Sequence, residues 1–287
     1  MTGRRWLIAA LALLGAGAEG DSKRSTKSLR VFLLLLLGLA AASCGPSRHD
    51  VPNSRAATNV PAFGDTDPHE WDALSPWLYP VHGIDVSKYQ GDIDWQRVRA
   101  SGTSFAYIKA TEGGDVADER FADNWHGAAR AGLPRGAYHY YYFCRTAAEQ
   151  ADWFISHVPS DGGALPAVLD MEWTHKSRTC TKRPAPETVR AEMEVYLERV
   201  ARHYGKRPIV YTTVDFYHEN DLGRMRGTDF WLRSVAGHPS AIYPNQKWAF
   251  WQYTGTGVVP GIAGNTDINV FAGTRPQWSQ WLAANAR

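Results

Sequence analysis

Eight short apolar runs of strand character recur along the chain: Val81–Val86, Phe105–Thr111, Gly136–Phe143, Ala164–Trp173, Pro208–Thr213, Phe230–Val235, Trp248–Tyr253 and Asp267–Phe271. Helical patterns fill the gaps in the first half. Asp94 is placed to cap a helix through Ala100, and Thr146 with Glu149 forms a capping box ahead of Ala151, Phe154, Ile155 and Val158. A longer helix over 187–204 carries Val189, Met193, Tyr196, Leu197 and Val200 on one face and stops at Gly205. Strands alternating with helices call for a largely parallel sheet, and eight of them suit a closed barrel. After Thr213 the gaps hold Gly, Pro, Asn and His with little helical periodicity. The fold class expected is therefore α/β: an irregular TIM-like β/α barrel of eight strands, with helices missing in the second half.

No composition break divides the chain beyond about residue 80, so residues 80–287 are expected to form one domain. Two apolar stretches precede it, Trp6–Ala18 and Val31–Ser43, each led by basic residues and each too short for a confident membrane span. The second reads as the core of a signal peptide and ends in Ala41-Ala42-Ser43-Cys44-Gly45. That ending resembles a bacterial lipoprotein cleavage site in which Cys44 takes the lipid, although Ala41 stands where a branched apolar residue is usual. Residues 1–44 are thus expected to be an export segment, leading to a membrane-anchored protein of the cell envelope or a secreted one. Residues 45–79, rich in Pro, Ser, Asn, Asp and Ala, are expected to be a flexible linker or a loosely packed lead-in. In an oxidising compartment the remaining cysteines, Cys144 and Cys180, are expected to form a disulfide. No Cys-x-x-Cys spacing occurs, and no metal or cofactor is expected. Formal charge is +2 overall, but the first 44 residues carry six Lys/Arg and two Asp/Glu, leaving 25 basic against 27 acidic residues in the rest. That balance gives no reason to expect a nucleic-acid partner.

Chemistry collects at Leu165-Pro166-Ala167-Val168-Leu169-Asp170-Met171-Glu172-Trp173, where an apolar strand ends in two carboxylates one residue apart. Side chains alternate across a strand, so Asp170 and Glu172 share a face with Cα atoms about 6.5 to 7 Å apart. Their repulsion in a partly dry site raises the proton affinity of at least one, although a solvated strand end or a divalent metal site would show the same spacing. Active residues of such barrels sit at the C-terminal ends of strands, which brings Asp85, Lys109, Asp170 with Glu172, and Tyr211 to one mouth. Taken singly, Asp85 would equally suit a turn and Lys109 a solvated strand terminus. Twelve Trp and thirteen Tyr suit sugar binding, while most of them belong to the core.

Five ordered motifs then carry a resemblance: Gly83-Ile84-Asp85-Val86-Ser87-Lys88-Tyr89-Gln90-Gly91, Tyr107-Ile108-Lys109-Ala110-Thr111-Glu112-Gly113, Gly136-Ala137-Tyr138-His139-Tyr140, Leu169-Asp170-Met171-Glu172 and Trp251-Gln252-Tyr253. They resemble the motifs of glycoside hydrolase family 25 lysozymes over about residues 80–273. The resemblance implies N-acetylmuramidase activity on peptidoglycan glycan strands, a barrel with reduced helices, and an acidic groove. It implies Glu172 as proton donor, Asp170 as the neighbouring carboxylate, Asp85 as a further acid, and Asp267 in Asn265-Thr266-Asp267-Ile268-Asn269 as the last acid. Tyr138, Tyr140, Tyr211 and Trp251 are candidates for sugar stacking or hydrogen bonding, and Trp173 for shielding Glu172. Gln277-Trp278-Ser279-Gln280-Trp281 reads as a closing helix with no repeated wall-binding module after it, and the chain is expected to act as a monomer. The alternative from another class is a non-catalytic peptidoglycan-binding protein on the same barrel. Four clustered acids argue against it, because binding alone does not need their repulsion. A chitinase would carry a longer run of spaced Asp residues before its acid.

Overall fold

The computed structural model describes residues 61–175 and 177–286. The two N-terminal apolar stretches, Cys44 and residues 45–60 of the expected linker lie outside the described residues. Eight strands close into a barrel: β1 (His82–Val86), β2 (Phe105–Glu112), β3 (Arg135–Tyr140), β4 (Val168–Met171), β5 (Ile209–Thr212), β6 (Phe230–Arg233), β7 (Phe250–Val258) and β8 (Thr266–Phe271). Each expected strand is present. The pairs from β1 through β7 are parallel. The last strand, β8, runs antiparallel to both β7 and β1. A parallel return needs a crossover of about a dozen residues, and residues 259–265 are too few for one. Reversal makes the start of β8, rather than its end, reach the mouth where β1 to β7 end.

The helices are α1 (Trp95–Ala100), α2 (Phe121–Arg130), α3 (Ala147–His157), α4 (Pro186–Tyr204), α5 (Val214–Glu219), α6 (Pro239–Ile242) and α7 (Arg275–Asn285). Asp94 accepts from the Arg97 amide at the start of α1, and Thr146 with Glu149 caps α3 reciprocally. Helix α4 starts on a proline, buries all five expected apolar residues and ends at Gly205, whose φ of 70° is left-handed. Between β5 and β7 the helices shrink to six and four residues, and among the described residues none separates β7 from β8.

Alternation along each strand divides the core in two. Outward residues such as Ile84, Ile108, Leu169, Met171, Leu232 and Trp251 pack in the large apolar cluster that includes the helices. Inward residues Phe105, Tyr107, Val168, Ile209, Trp231 and Phe250 fill the barrel, and Trp278 of α7 closes its lower end. Trp278 lies 5.1 to 6.3 Å, centroid to centroid, from Phe271, Phe105 and Phe250. Two inward positions must be glycine. A Cβ at Gly83 would lie 2.4 Å from the Phe105 ring, and one at Gly136 would lie 2.3 Å from Tyr107.

The expectation of a flexible linker through residue 79 needs correction over residues 61–79. Gly64 and Asp65 pair with Val258 and Gly257 as a two-residue strand, and Trp71 sits edge-on to Trp251 with centroids 5.1 Å apart. Backbone pairing and aromatic burial outweigh the loop-like composition of this stretch. The Cys144–Cys180 disulfide is present, with Cα atoms 5.7 Å apart, and joins the loops that follow β3 and β4.

Candidate active site

At the mouth a cavity of about 290 Å³ is lined by Asp85, Lys109, Tyr138, Tyr140, Asp170, Glu172, Tyr211 and Asp267, with Trp231, Arg233 and Gln252 beside them. Strand phase explains the set. On β4 the side chains of Val168 and Asp170, and that of Glu172 just past its end, face inward while Leu169 and Met171 are fully buried outside. Asp267 stands opposite Asp85 in the antiparallel register of β8 and β1, so the reversed strand delivers its first acid to the mouth.

Asp85 is the best fixed of the four acids. Its Oδ2 accepts from Gln252 Nε2 at 3.0 Å and from Asn269 Nδ2 at 2.9 Å. Both amides are themselves oriented from behind: Tyr211 donates its hydroxyl to Gln252 Oε1 at 2.9 Å, and Trp231 donates Nε1–H to Asn269 Oδ1 at 2.8 Å. An indole nitrogen only donates, so the Asn269 oxygen must face Trp231 and its NH₂ must face Asp85. Burial still lifts Asp85 up to about 6, against the lowering effect of the two amides and Arg233.

Asp170 is more deeply enclosed. Its Oδ1 is buried and has no hydrogen-bond partner among the described residues, a costly arrangement unless a ligand donor meets it. Burial, then repulsion from Glu172, holds its carboxyl well above the usual range. Glu172 is also raised, chiefly by burial, while Tyr140, Arg233 and Lys109 favour its charged form. Asp267 is raised well above the ordinary carboxylate range by burial and by Asp85. Two cations temper this field. Lys109 reaches Glu112 at 2.6 Å and lies 4.8 Å from the Tyr140 ring centroid, and Arg233 lines the cavity. Four carboxylates with raised proton affinity, facing one another in a small polar cavity, equip the mouth to give a proton to one atom and stabilise positive charge on the next.

The sequence profile of glycosyl hydrolases family 25 matches residues 84–262. The chain belongs to this family. It is 36% identical over 208 residues to Lysozyme M1 of Streptomyces globisporus, covering 68% of each protein. A family 25 glycosyl hydrolase structure from Bacillus anthracis superposes with a TM-score of 0.65 at 34% identity, covering 76% of this chain and 98% of that one. The bacterial lysozyme structure from Streptomyces coelicolor gives 0.63 at 33% identity, covering 75% and 99%.

Within this family 25 barrel, Asp85, Lys109, Tyr138, Tyr140, Asp170, Glu172, Tyr211 and Asp267 converge on one cavity. Trp251 does not. It is fully buried on the outer face of β7, donates Nε1–H to the Ser234 carbonyl at 2.7 Å, and belongs to the core. Its neighbour Gln252 takes the inward place because it shares phase with Phe250. Trp173 also points away from the cavity, packing on Phe143 and Phe216 and donating to Glu219 at 2.7 Å. Tyr140, not Trp173, is the aromatic residue beside Glu172. Trp231, Arg233, Gln252 and Asn269 went unread in the sequence, although strand phase relates Trp231 to Arg233, Gln252 to Phe250, and Asn269 to Asp267.

Proposed function

We propose that this enzyme is an exported muramidase that hydrolyses the β-1,4 bond between N-acetylmuramic acid and N-acetylglucosamine in peptidoglycan, with Glu172 as proton donor. Family membership supports the reaction class, and the partnerless Oδ1 of Asp170 next to Glu172 supports the division of roles. Glu172 delivers its proton to the glycosidic oxygen as that bond breaks. Asp170 accepts from the N–H of the 2-acetamido group, whose carbonyl oxygen attacks the anomeric carbon and forms a cyclic oxazolinium. Water then opens that ring, giving its proton to the Glu172 carboxylate. Both acids stand on one strand face, which suits a nucleophile supplied by the substrate better than one supplied by the protein. Asp85 and Asp267 supply negative charge that lowers the energy of the cationic centre. Purified peptidoglycan digested by the protein should yield fragments with reducing-end muramic acid by mass spectrometry. Glucosamine ends would assign the other bond, and undigested glycan would leave the non-catalytic reading.

The same proposal includes a lipid on Cys44 as the tether to the envelope, supported by Ala41-Ala42-Ser43-Cys44-Gly45 and the apolar run before it. Labelled fatty acid should enter the native protein and be lost in Cys44→Ala. Equal labelling of the variant would remove the tether from the proposal.

A further inference from the structure

The lead-in before β1 builds a second, larger cavity of about 650 Å³ with the mouth side of β7, lined by Asp65, Asp67, Trp71, Trp77, Arg233 and Thr256 among others. Arg233 lines both cavities. Gly255 of the second lies so close to the first that a Cβ there would meet Asp267 Oδ1 at 3.0 Å. The two hollows therefore adjoin at the rim formed by Arg233 and Gly255. Trp77 is 40% exposed, stacked on His82 with centroids 5.6 Å apart and edge-on to Tyr253 at 5.8 Å. An indole held by two rings and open on part of its surface is a rigid apolar platform. Asp65 Oδ1 is occupied by the Thr256 hydroxyl at 2.6 Å and the Asp67 amide at 3.0 Å. Those bonds, with the Thr254 hydroxyl also on this carboxylate, fix it at the cavity wall as an acceptor for a ligand hydroxyl. Residues 61–79 precede the stretch matched by the family profile.

We propose that the second cavity is a distal carbohydrate subsite, taking N-acetylated amino-sugar residues of the same glycan strand whose scissile bond lies at Glu172. The inference rests on the muramidase reading for the identity of the strand. A pyranose offers an apolar C–H face to Trp77 and hydroxyl donors to Asp65, and the volume falls in the range of sites that enclose ligands of this size. Arg233, shared by the two hollows, follows the strand from one to the other.

Trp77→Ala removes the platform from a partly exposed position. On long peptide-free glycan chains, obtained by amidase digestion of peptidoglycan, the variant should show KM raised about five- to tenfold with kcat within twofold of the parent. On the shortest oligosaccharide that the parent cleaves, the two proteins should be equal, and Trp77→Phe should recover most of the loss. An unchanged KM on long chains, an equal loss at every length, or a loss seen only when stem peptides are attached would overturn the subsite. Binding of the same peptide-free chains to Glu172→Gln and to the Glu172→Gln, Trp77→Ala double variant separates this inference from the catalytic one. Weaker binding by the double variant upholds the subsite even where no bond is cut, and equal binding rejects it.

Discussion

The two ends of the barrel are made by the same strands and the same inward phase, yet they are opposites in chemistry. At the lower end Phe105, Phe250, Phe271 and Trp278 pack ring against ring with no charge among them. A few residues along, at the mouth, those strands present Asp85, Lys109, Asp170, Glu172, Arg233 and Asp267. The lower end gains free energy from burial, whereas the mouth loses some by holding carboxylates in a dry, repulsive setting. The difference teaches that one end carries stability while the other carries reactivity. Substitutions should sort accordingly.

Trp278→Ala should show the largest effect, opening a cavity under the barrel and costing about 3 to 5 kcal/mol of stability. Thermal unfolding should fall by roughly 10 °C, while kcat at low temperature stays near that of the parent. A large loss of kcat in the folded variant would mean that the ends are not independent. Next in size, replacing Cys144 and Cys180 by serine frees two mouth loops joined across 36 residues, which should cost roughly 3 to 4 kcal/mol in the chain-entropy estimate. A melting temperature unchanged by the replacement would show that those loops are held by packing alone.

At the mouth itself, Glu172→Gln should lower kcat at least about 100-fold while leaving glycan binding and melting temperature near or above the parent values. Activity within tenfold of the parent would remove Glu172 as the proton donor.

The smallest expected effect concerns pH. Asp85 is raised to about 6, and Asp170, Glu172 and Asp267 are raised as well. The folded chain then binds more protons than the unfolded chain above about pH 4, so stability should fall as pH rises through 6 and beyond. Asp170→Asn should flatten that decline and raise the melting temperature at pH 7 by about 2 °C. The rate profile of the parent should be bell-shaped, needing one carboxylate ionised and Glu172 protonated. Any residual activity of Asp170→Asn should show an upper limb moved to lower pH, because the nearest repulsive charge is gone. An unmoved limb, with chemistry rate-limiting, would assign the raised proton affinity of Glu172 to burial and Asp215 rather than to Asp170.

Local order determined much of this protein. The eight strands, the caps at Asp94 and Thr146, the buried face and glycine stop of α4, and the pairing of Asp170 with Glu172 follow from side-chain period and capping chemistry over a few residues. The motifs around Asp85, Lys109, Tyr138 and Glu172 likewise lie within single strands, so their convergence at one mouth was legible once a barrel was inferred. Tertiary structure decided the rest. The direction of β8 depends on how far β7 extends, and the end of β7 is paired on one side by the lead-in strand at Gly64 and Asp65 and on the other by Thr266 of β8. Trp251 and Gln252 differ by one step of phase, which only closure of the barrel could assign to core and cavity. The amide pair that holds Asp85 joins β7 and β8 to β1, and Tyr211 and Trp231 orient it from β5 and β6. Contacts between residues 38 to 184 positions apart have no local period to reveal them, and the chemistry of this site is built from such contacts.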